Sequence, residues 1–378
     1  MDSLKKKIIM IGSVPPPYHG SSVYFRNLLN SRLKSEFDIH HLDISDHRDL
    51  NNLSKLDFTN VKIALMSILN LSKMIKSIKP DLIYIPVSSN YLPYLRDGLF
   101  MLTSSLFSNA SIVIHLHEGN YFRENFYKNS FFIFKYFINF SLGKVDTAIV
   151  YSESLKSNFE GLVKNVTAFP NGLDVKPESV NLFDNVSDSE KPFITFLGNL
   201  FESKGVLDVL TSSVSILKKY GNAVFNFAGE WIESEKETKL KADKIITENN
   251  LMKNIKFHGV LNGAEREKLI LNSDFIVFPT RYPYEGCPLV IIEAMAYGKP
   301  VISSKDTGAI PDMVDDGITG ILIEKNNVAE ITDAMMTLIE SQELREKMGK
   351  AGRVKYENSF TFEKNIDNII NTFYKVLN

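Results

Sequence analysis

Short runs of β-branched and apolar residues alternate with longer stretches whose apolar positions recur at helical spacing, and this rhythm persists along most of the chain. In the first half, residues 7–12, 38–42, 82–86, 111–117 and 147–151 read as strands. Helical patterns lie between them, among them 23–33 and 66–78. The pattern then restarts, with 193–198, 224–228, 255–259, 275–279 and 301–304 reading as a second set of strands. Continuously apolar strands separated by helices predict parallel α/β units. Residues 175–191 are polar and lack a period, so they read as a linker. The expectation is two doubly wound, Rossmann-like domains, 1–173 and 190–356, with ligand loops at the strand carboxyl ends and a cleft between the domains.

Composition changes this picture little. A chain of 378 residues is long enough for two cores. Its single cysteine, Cys287, excludes a disulfide framework and suits a reducing cytosol, so a cytoplasmic protein is expected. The seven histidines show no zinc-ligand spacing, and no metal site is expected. Lys5-Lys6-Lys7 followed by Ile8 to Ile11 reads as a first buried strand, because Pro15-Pro16-Pro17 interrupts it too early for a secretion signal. No apolar run reaches the length of a membrane span.

Charge is unevenly shared. Residues 1–172 carry 19 Lys+Arg against 14 Asp+Glu, and the remainder carries 24 against 31. The mildly basic first half suits an anionic acceptor or a peripheral contact with the inner face of the membrane, and is too weak to predict nucleic-acid binding. Two aromatic-rich stretches, 91–107 and 126–142, read equally as core helices or as a surface resting on lipid.

The candidate chemistry concentrates in Glu285-Gly286-Cys287-Pro288-Leu289-Val290-Ile291-Ile292-Glu293-Ala294-Met295-Ala296-Tyr297-Gly298-Lys299-Pro300. Pro288 suits a first helical position, and Gly298 with Pro300 stop the helix. Such a helix points its free amides and positive dipole end out of the preceding loop, where they suit a phosphate. Glu285 stands at that mouth, and Glu293 lies two turns on, roughly 12 Å if all positions between are helical. Two acceptor-only side chains flanking an anion pocket fit a nucleotide sugar. A buried helix start with two incidental glutamates fits the spacing equally well.

Other segments add to this. After the strand at 193–198, the turn Gly198-Asn199 leads to Lys204 just ahead of a predicted helix, where an ammonium can meet a phosphate. After the first strand, Gly20 with Ser21 and Ser22 opens a helix and would let backbone approach a ligand, without forming a dinucleotide-binding fingerprint. The strand at 111–117 delivers His117 and Glu118 at its carboxyl end; His115 points to the same side and is the rival choice.

Taken together, these segments resemble the retaining glycosyltransferases of family 4, glycosyl transferases group 1, with the two-domain GT-B fold. The run Glu285 to Glu293, continued by Ala294-Met295-Ala296, is similar to that family's Glu-x7-Glu motif, and Pro170-Asn171-Gly172-Leu173-Asp174 and residues 307–317 resemble two further family segments. The resemblance implies a final helix, 360–378, that returns to the first domain. It implies that the first domain binds the acceptor and the second the donor.

The same resemblance implies that Glu293 binds the donor ribose, Glu285 orients the transferred sugar, Lys204 grips the diphosphate and His117 approaches the sugar. The chain departs from the family at Asn199, where an arginine is usual, and at Pro288, where a glycine is common. Arg281 is then a candidate substitute cation, and the amides of Cys287, Leu289 and Val290 are left to contact phosphate. The chain lacks Asp-x-Asp, so metal-independent transfer is expected, with no cofactor, from a UDP-sugar or alternatively a GDP-sugar to a polysaccharide or lipid-linked glycan. A non-catalytic nucleotide-sugar-binding subunit and a sugar phosphorylase of similar fold are the competing readings.

Overall fold

A computed structural model describes residues 5–16, 20–46, 58–175 and 191–378, with side chains from residue 61 onward in the segment that begins at 58. Nearly all of the expected linker therefore lies outside the described residues. The chain forms two compact units, Met1–Pro170 with Glu363–Asn378, and Asn171–Phe362.

The first unit is a parallel sheet of six strands in the order β2-β1-β3-β4-β5-β6. The strands are β1 Lys7–Gly12, β2 Asp38–Asp43, β3 Leu82–Val87, β4 Ser111–Leu116, β5 Thr147–Val150 and β6 Asn165–Ala168. The central strands are buried on both faces, which is why they read as uninterrupted apolar runs. Helices α1 Gly20–Leu29 and α2 Leu33–Glu36 follow β1. Helices α3 Phe58–Ile78, α4 Tyr91–Phe107 and α5 Phe132–Leu142 connect β2 through β5, and α3 packs on α4 and α4 on α5. Right-handed crossovers in this strand order put those three helices in one layer on one face of the sheet.

Helix α13, Phe362–Leu377, belongs to this unit. Phe373 packs against Phe37 and Tyr84, Arg32 bonds Glu363 at 3.1 Å, and buried Asn365 accepts from Tyr24 on α1 and donates to Pro170 O. In the aromatic stretch at 126–142, Phe126 and Ser130 are buried, while α5 itself buries only Ile138, Ser141 and Leu142.

The second unit repeats the architecture in the order β12-β11-β10-β7-β8-β9, all parallel. Its strands are β7 Phe193–Leu197, β8 Val224–Ala228, β9 Ile255–Gly259, β10 Phe275–Phe278, β11 Val301–Ser304 and β12 Gly320–Ile323. Its helices are α6 Val206–Lys219, α7 Lys236–Glu248, α8 Gly263–Asn272, α9 Leu289–Ala296, α10 Ile310–Met313, α11 Val328–Glu340 and α12 Gln342–Ser359. Helix α9 is buried on nearly every side. Its carboxyl end is closed by α12: Arg353 donates to Ala296 O, and Gly349 lies so close that a Cβ would come 2.0 Å from Gly298 O. A cation at that end complements the dipole. No helix among the described residues is long and apolar enough to cross a membrane.

Candidate functional site

In the second unit several of the candidate side chains gather at the carboxyl ends of β7 and β10, where doubly wound sheets build their sites. β7 ends at Gly198, whose φ of +138° suits glycine, and Gly229 after β8 comes so near that a Cβ there would sit 1.9 Å from Gly198 O. Asn199 is exposed on this turn, and its carbonyl accepts from Phe201 N at 2.9 Å. The turn 202–204 then delivers Lys204, and Gly205 with φ +84° starts α6.

Lys204 Nζ donates to Glu285 Oε2 at 3.1 Å, with side-chain exposures of 18% and 10%. The ammonium also stands 5.3 Å from the Phe278 ring and 5.1 Å from the Tyr282 ring. Aromatic faces hold a cation without neutralising it. Thr280 Oγ1 donates to the same carboxylate oxygen at 3.3 Å. An ammonium has three protons, so the Glu285 bond leaves two for other acceptors.

The Glu285 turn is clamped from beneath. Ala309 N donates to Gly286 O at 2.8 Å, and Gly308, with φ +53°, places its Cα where a Cβ would be 2.1 Å from Glu285 O. Gly308→Ala is therefore expected to destabilise the unit by roughly 2–4 kcal/mol through strain and clash, read from the urea midpoint, and to cost activity by moving Glu285.

Helix α9 begins one position later than expected: Pro288 is its N-cap in extended conformation, and Leu289 is the first helical residue. Ile291 N is already bonded to Pro288 O at 3.1 Å, so Leu289 and Val290 supply the first-turn amides. Cys287 is buried, its thiol pushed up to about 12 by burial, which keeps it protonated and inert as a nucleophile.

Glu293 is held bidentately: Arg266 on α8 donates from Nε to Oε1 at 2.8 Å and from Nη2 to Oε2 at 2.5 Å. Two bonds leave about two of the carboxylate's four lone-pair positions open. Arg281 is engaged elsewhere, its guanidinium paired with Asp208 in the first turn of α6. The structure thus brings Lys204, Gly198 and Glu285 together, and sets Glu293 in a separate pair with Arg266.

His117 and Gly20 belong to the first unit. His117 follows β4, its Nδ1 bonded to the Tyr151 hydroxyl and its ring stacked 4.1 Å from His115. Tyr24 on α1 meets the His117 ring edge-on at 5.3 Å. His115 is fully buried with Nδ1 on Tyr84 Oη at 2.7 Å. Among the described residues, no atom beyond its chain neighbours and its own helix backbone lies within 4 Å of a Cβ built on Gly20; Gly12 differs, because the Phe25 ring would be 2.5 Å from its Cβ.

Glu118 stands beside Ser89 and near buried Asp97, which Arg96 grips through Nε and Nη2 at 2.9 and 2.7 Å. Burial pushes Glu118 up to about 7, and the Ser89 hydroxyl and amide pull it back less strongly. Burial pushes His117 down to about 4, and burial with the neighbouring His117 ring holds His115 well below the usual histidine range. At neutral pH both rings are therefore uncharged.

These shifts oppose one another in stability. The histidines' contribution is full above their ordinary value of 6.5 and is lost as pH falls toward 4. That of Glu118 is full below its ordinary 4.5 and is lost as pH rises through 7. Glu118→Gln is expected to raise unfolding free energy by roughly 1–3 kcal/mol at about pH 8, with the gain vanishing below about pH 4.5. Urea titrations at the two pH values check this.

An open hollow of about 680 Å³ is lined by Lys5, Lys6, Lys7, Lys34 and Lys79 with Asp38 and Asp81, at the amino-terminal ends of β1 and β3. This is the end of the sheet opposite His117. Lys6 is paired with Asp81, and Lys5 and Lys7 are bonded to backbone carbonyls.

Two doubly wound parallel units of this kind make up the GT-B fold. Residues 178–355 match the family model of glycosyl transferases group 1. An uncharacterized glycosyltransferase of Methanocaldococcus jannaschii is 28% identical over 61% of the chain and 60% of its own length. The capsular polysaccharide biosynthesis glycosyltransferase CapM of Staphylococcus aureus is 28% identical over 64% of the chain and 67% of its own. The chain thus spans roughly three fifths to two thirds of these relatives. Among solved structures, sucrose-phosphate synthase from Thermosynechococcus elongatus superposes with a TM-score of 0.75 over 99% of both chains at 16% identity. Anabaena HepE, solved with UDP and glucose, gives 0.70 over 98% of this chain and 99% of its own at 15% identity.

Proposed function

We propose that the chain is a retaining, metal-independent glycosyltransferase of family 4 type, moving a sugar from a nucleoside diphosphate-sugar to a polysaccharide or lipid-linked glycan. The observation that carries this is the Lys204–Glu285 pair, set four residues ahead of the amino end of α9. The two remaining ammonium protons and the amides of Leu289 and Val290 meet the departing diphosphate, with the helix pole adding to them. Glu285, fixed by Lys204 and Thr280, accepts hydroxyls of the transferred sugar. Glu293 accepts the ribose hydroxyls on the lone pairs that Arg266 leaves. His117, neutral and held by Tyr151, offers a hydrogen bond to the sugar rather than a charge.

In this reading the leaving phosphate takes the acceptor proton on the face it departs from, so positioning and charge stabilisation do the work and no covalent partner is required. Because Asn199 brings no charge and Arg281 is paired with Asp208, Lys204 carries the cationic role. The UDP and glucose held by HepE support UDP as the first base to try, with GDP second. The test is turnover of UDP- and GDP-sugars with the product anomer read by NMR. A retained anomer in the presence of chelator is expected; an inverted anomer, or activity abolished by EDTA, would sink the reading.

Arg266→Ala separates binding from chemistry. It frees Glu293 from its orienting partner, so the donor KM is expected to rise about tenfold with kcat little changed. Steady-state kinetics against donor concentration check it.

A further inference from the structure

Fourteen of the 22 exposed large apolar side chains among the described residues lie on α3, α4, α5 or the residue just ahead of α5. Soluble surfaces scatter such residues singly; a contiguous set marks an interaction face. On α5, Phe132 (83% exposed), Tyr136 and Phe140 stand at i, i+4 and i+8, and Lys144 over the Phe140 ring continues the stripe. On α3, Lys62, Met66, Leu69, Lys73 and Lys76 fall at three- and four-residue spacing, so lysines bracket the apolar positions on that face too.

The only carboxylate on the three helices is Asp97, buried and paired with Arg96. We propose that this helix layer docks on an anionic lipid bilayer, with the aromatic and aliphatic side chains entering the headgroup boundary and the lysines meeting lipid phosphates. Aromatic and aliphatic tips flanked by lysines suit that boundary. A two-fold contact with a second copy would set the same lysines against each other without a carboxylate to offset them. The inference goes beyond the transferase reading and stands without it, and its test uses no nucleotide.

Full-length protein is mixed with phosphatidylglycerol-rich or phosphatidylcholine vesicles and sedimented. Strong binding to the first is expected, falling about tenfold or more on the second and in high salt, where the Debye length contracts to about 3 Å. Combined Phe132→Ser, Ile133→Ser and Tyr136→Ser substitution is expected to lower vesicle affinity at least about tenfold with the melting temperature unchanged. Replacing Lys73, Lys76 and Lys144 by glutamine should cost about fivefold for each lysine removed. Failure to sediment with phosphatidylglycerol vesicles, or binding indifferent to both sets of substitutions, overturns the proposal. A lipid-free dimer that the triple serine variant dissolves would assign the face to a second copy and overturn it as well.

Discussion

Lys204→Met is expected to lower turnover by about 10²–10³-fold, the usual loss when a single stabilising donor at a developing oxyanion is removed. The substitution keeps the stem that fills the space over Phe278 and Tyr282 and removes only the charge. Glu285 then stays mostly buried with Thr280 as its remaining partner. An unpaired carboxylate in that position costs roughly 1–3 kcal/mol of stability, so the melting temperature should fall together with kcat. Rescue by Lys204→Arg should be poor: a planar fork cannot reproduce the compact ammonium between two rings. Single-turnover kinetics with a saturating donor separate the chemical loss from weakened binding.

Glu293→Ala should remove most donor affinity, by about 10²-fold or more, because it deletes the proposed ribose acceptors and leaves a half-buried guanidinium unpaired at the same spot. Arg266 bonds both carboxylate oxygens, so the single variant mixes two effects. The double variant Arg266→Ala with Glu293→Ala resolves them. If the affinity loss belongs to Glu293 itself, the double variant binds donor as weakly as Glu293→Ala, yet regains part of its stability because no buried charge is left alone. Calorimetric titration with nucleoside diphosphates measures the first quantity, and urea unfolding the second.

Ten of the twelve strands among the described residues could be read from the chain, eight of them because their runs are buried on both faces; the other two, β2 and β9, are edge strands, the first half-buried and the second largely exposed, with short local patterns. The two that escaped are weak by the same physics. Asn165–Ala168 is a four-residue edge strand with mixed polarity, and Gly320–Ile323 opens on a glycine that abuts Val301 O. The start of α3 was hidden because Val61, Ile63 and Leu65 alternate with Lys62 and Ala64 like a strand. α1 is shorter than its pattern, closing at Leu29, with Ser31 bonding Leu28 O and Leu33 N in the break.

At the site, Lys204 and Glu285 could be nominated separately from their loops, but their pairing joins positions 81 apart, which no local pattern encodes. Arg266 gave no signal at all; it is one basic residue on a polar helix and gains meaning only where α8 meets Glu293. The Glu118, Ser89 and Asp97 group was invisible for a like reason, since β3, α4 and β4 bring it together only in the folded sheet.

Thermal unfolding in the presence of UDP, GDP, ADP and CMP, for the wild-type chain beside Glu293→Ala and Lys204→Met, tests the central claim of a nucleoside diphosphate-sugar site most directly. At a hundredfold excess over Kd a bound nucleotide adds about 2.7 kcal/mol, which for a unit of this size is roughly 5–10 °C. One diphosphate is predicted to give that shift selectively, and both variants to lose most of it. No shift with any nucleotide, or an equal shift in all three proteins, would contradict the donor site and the transferase reading built on it.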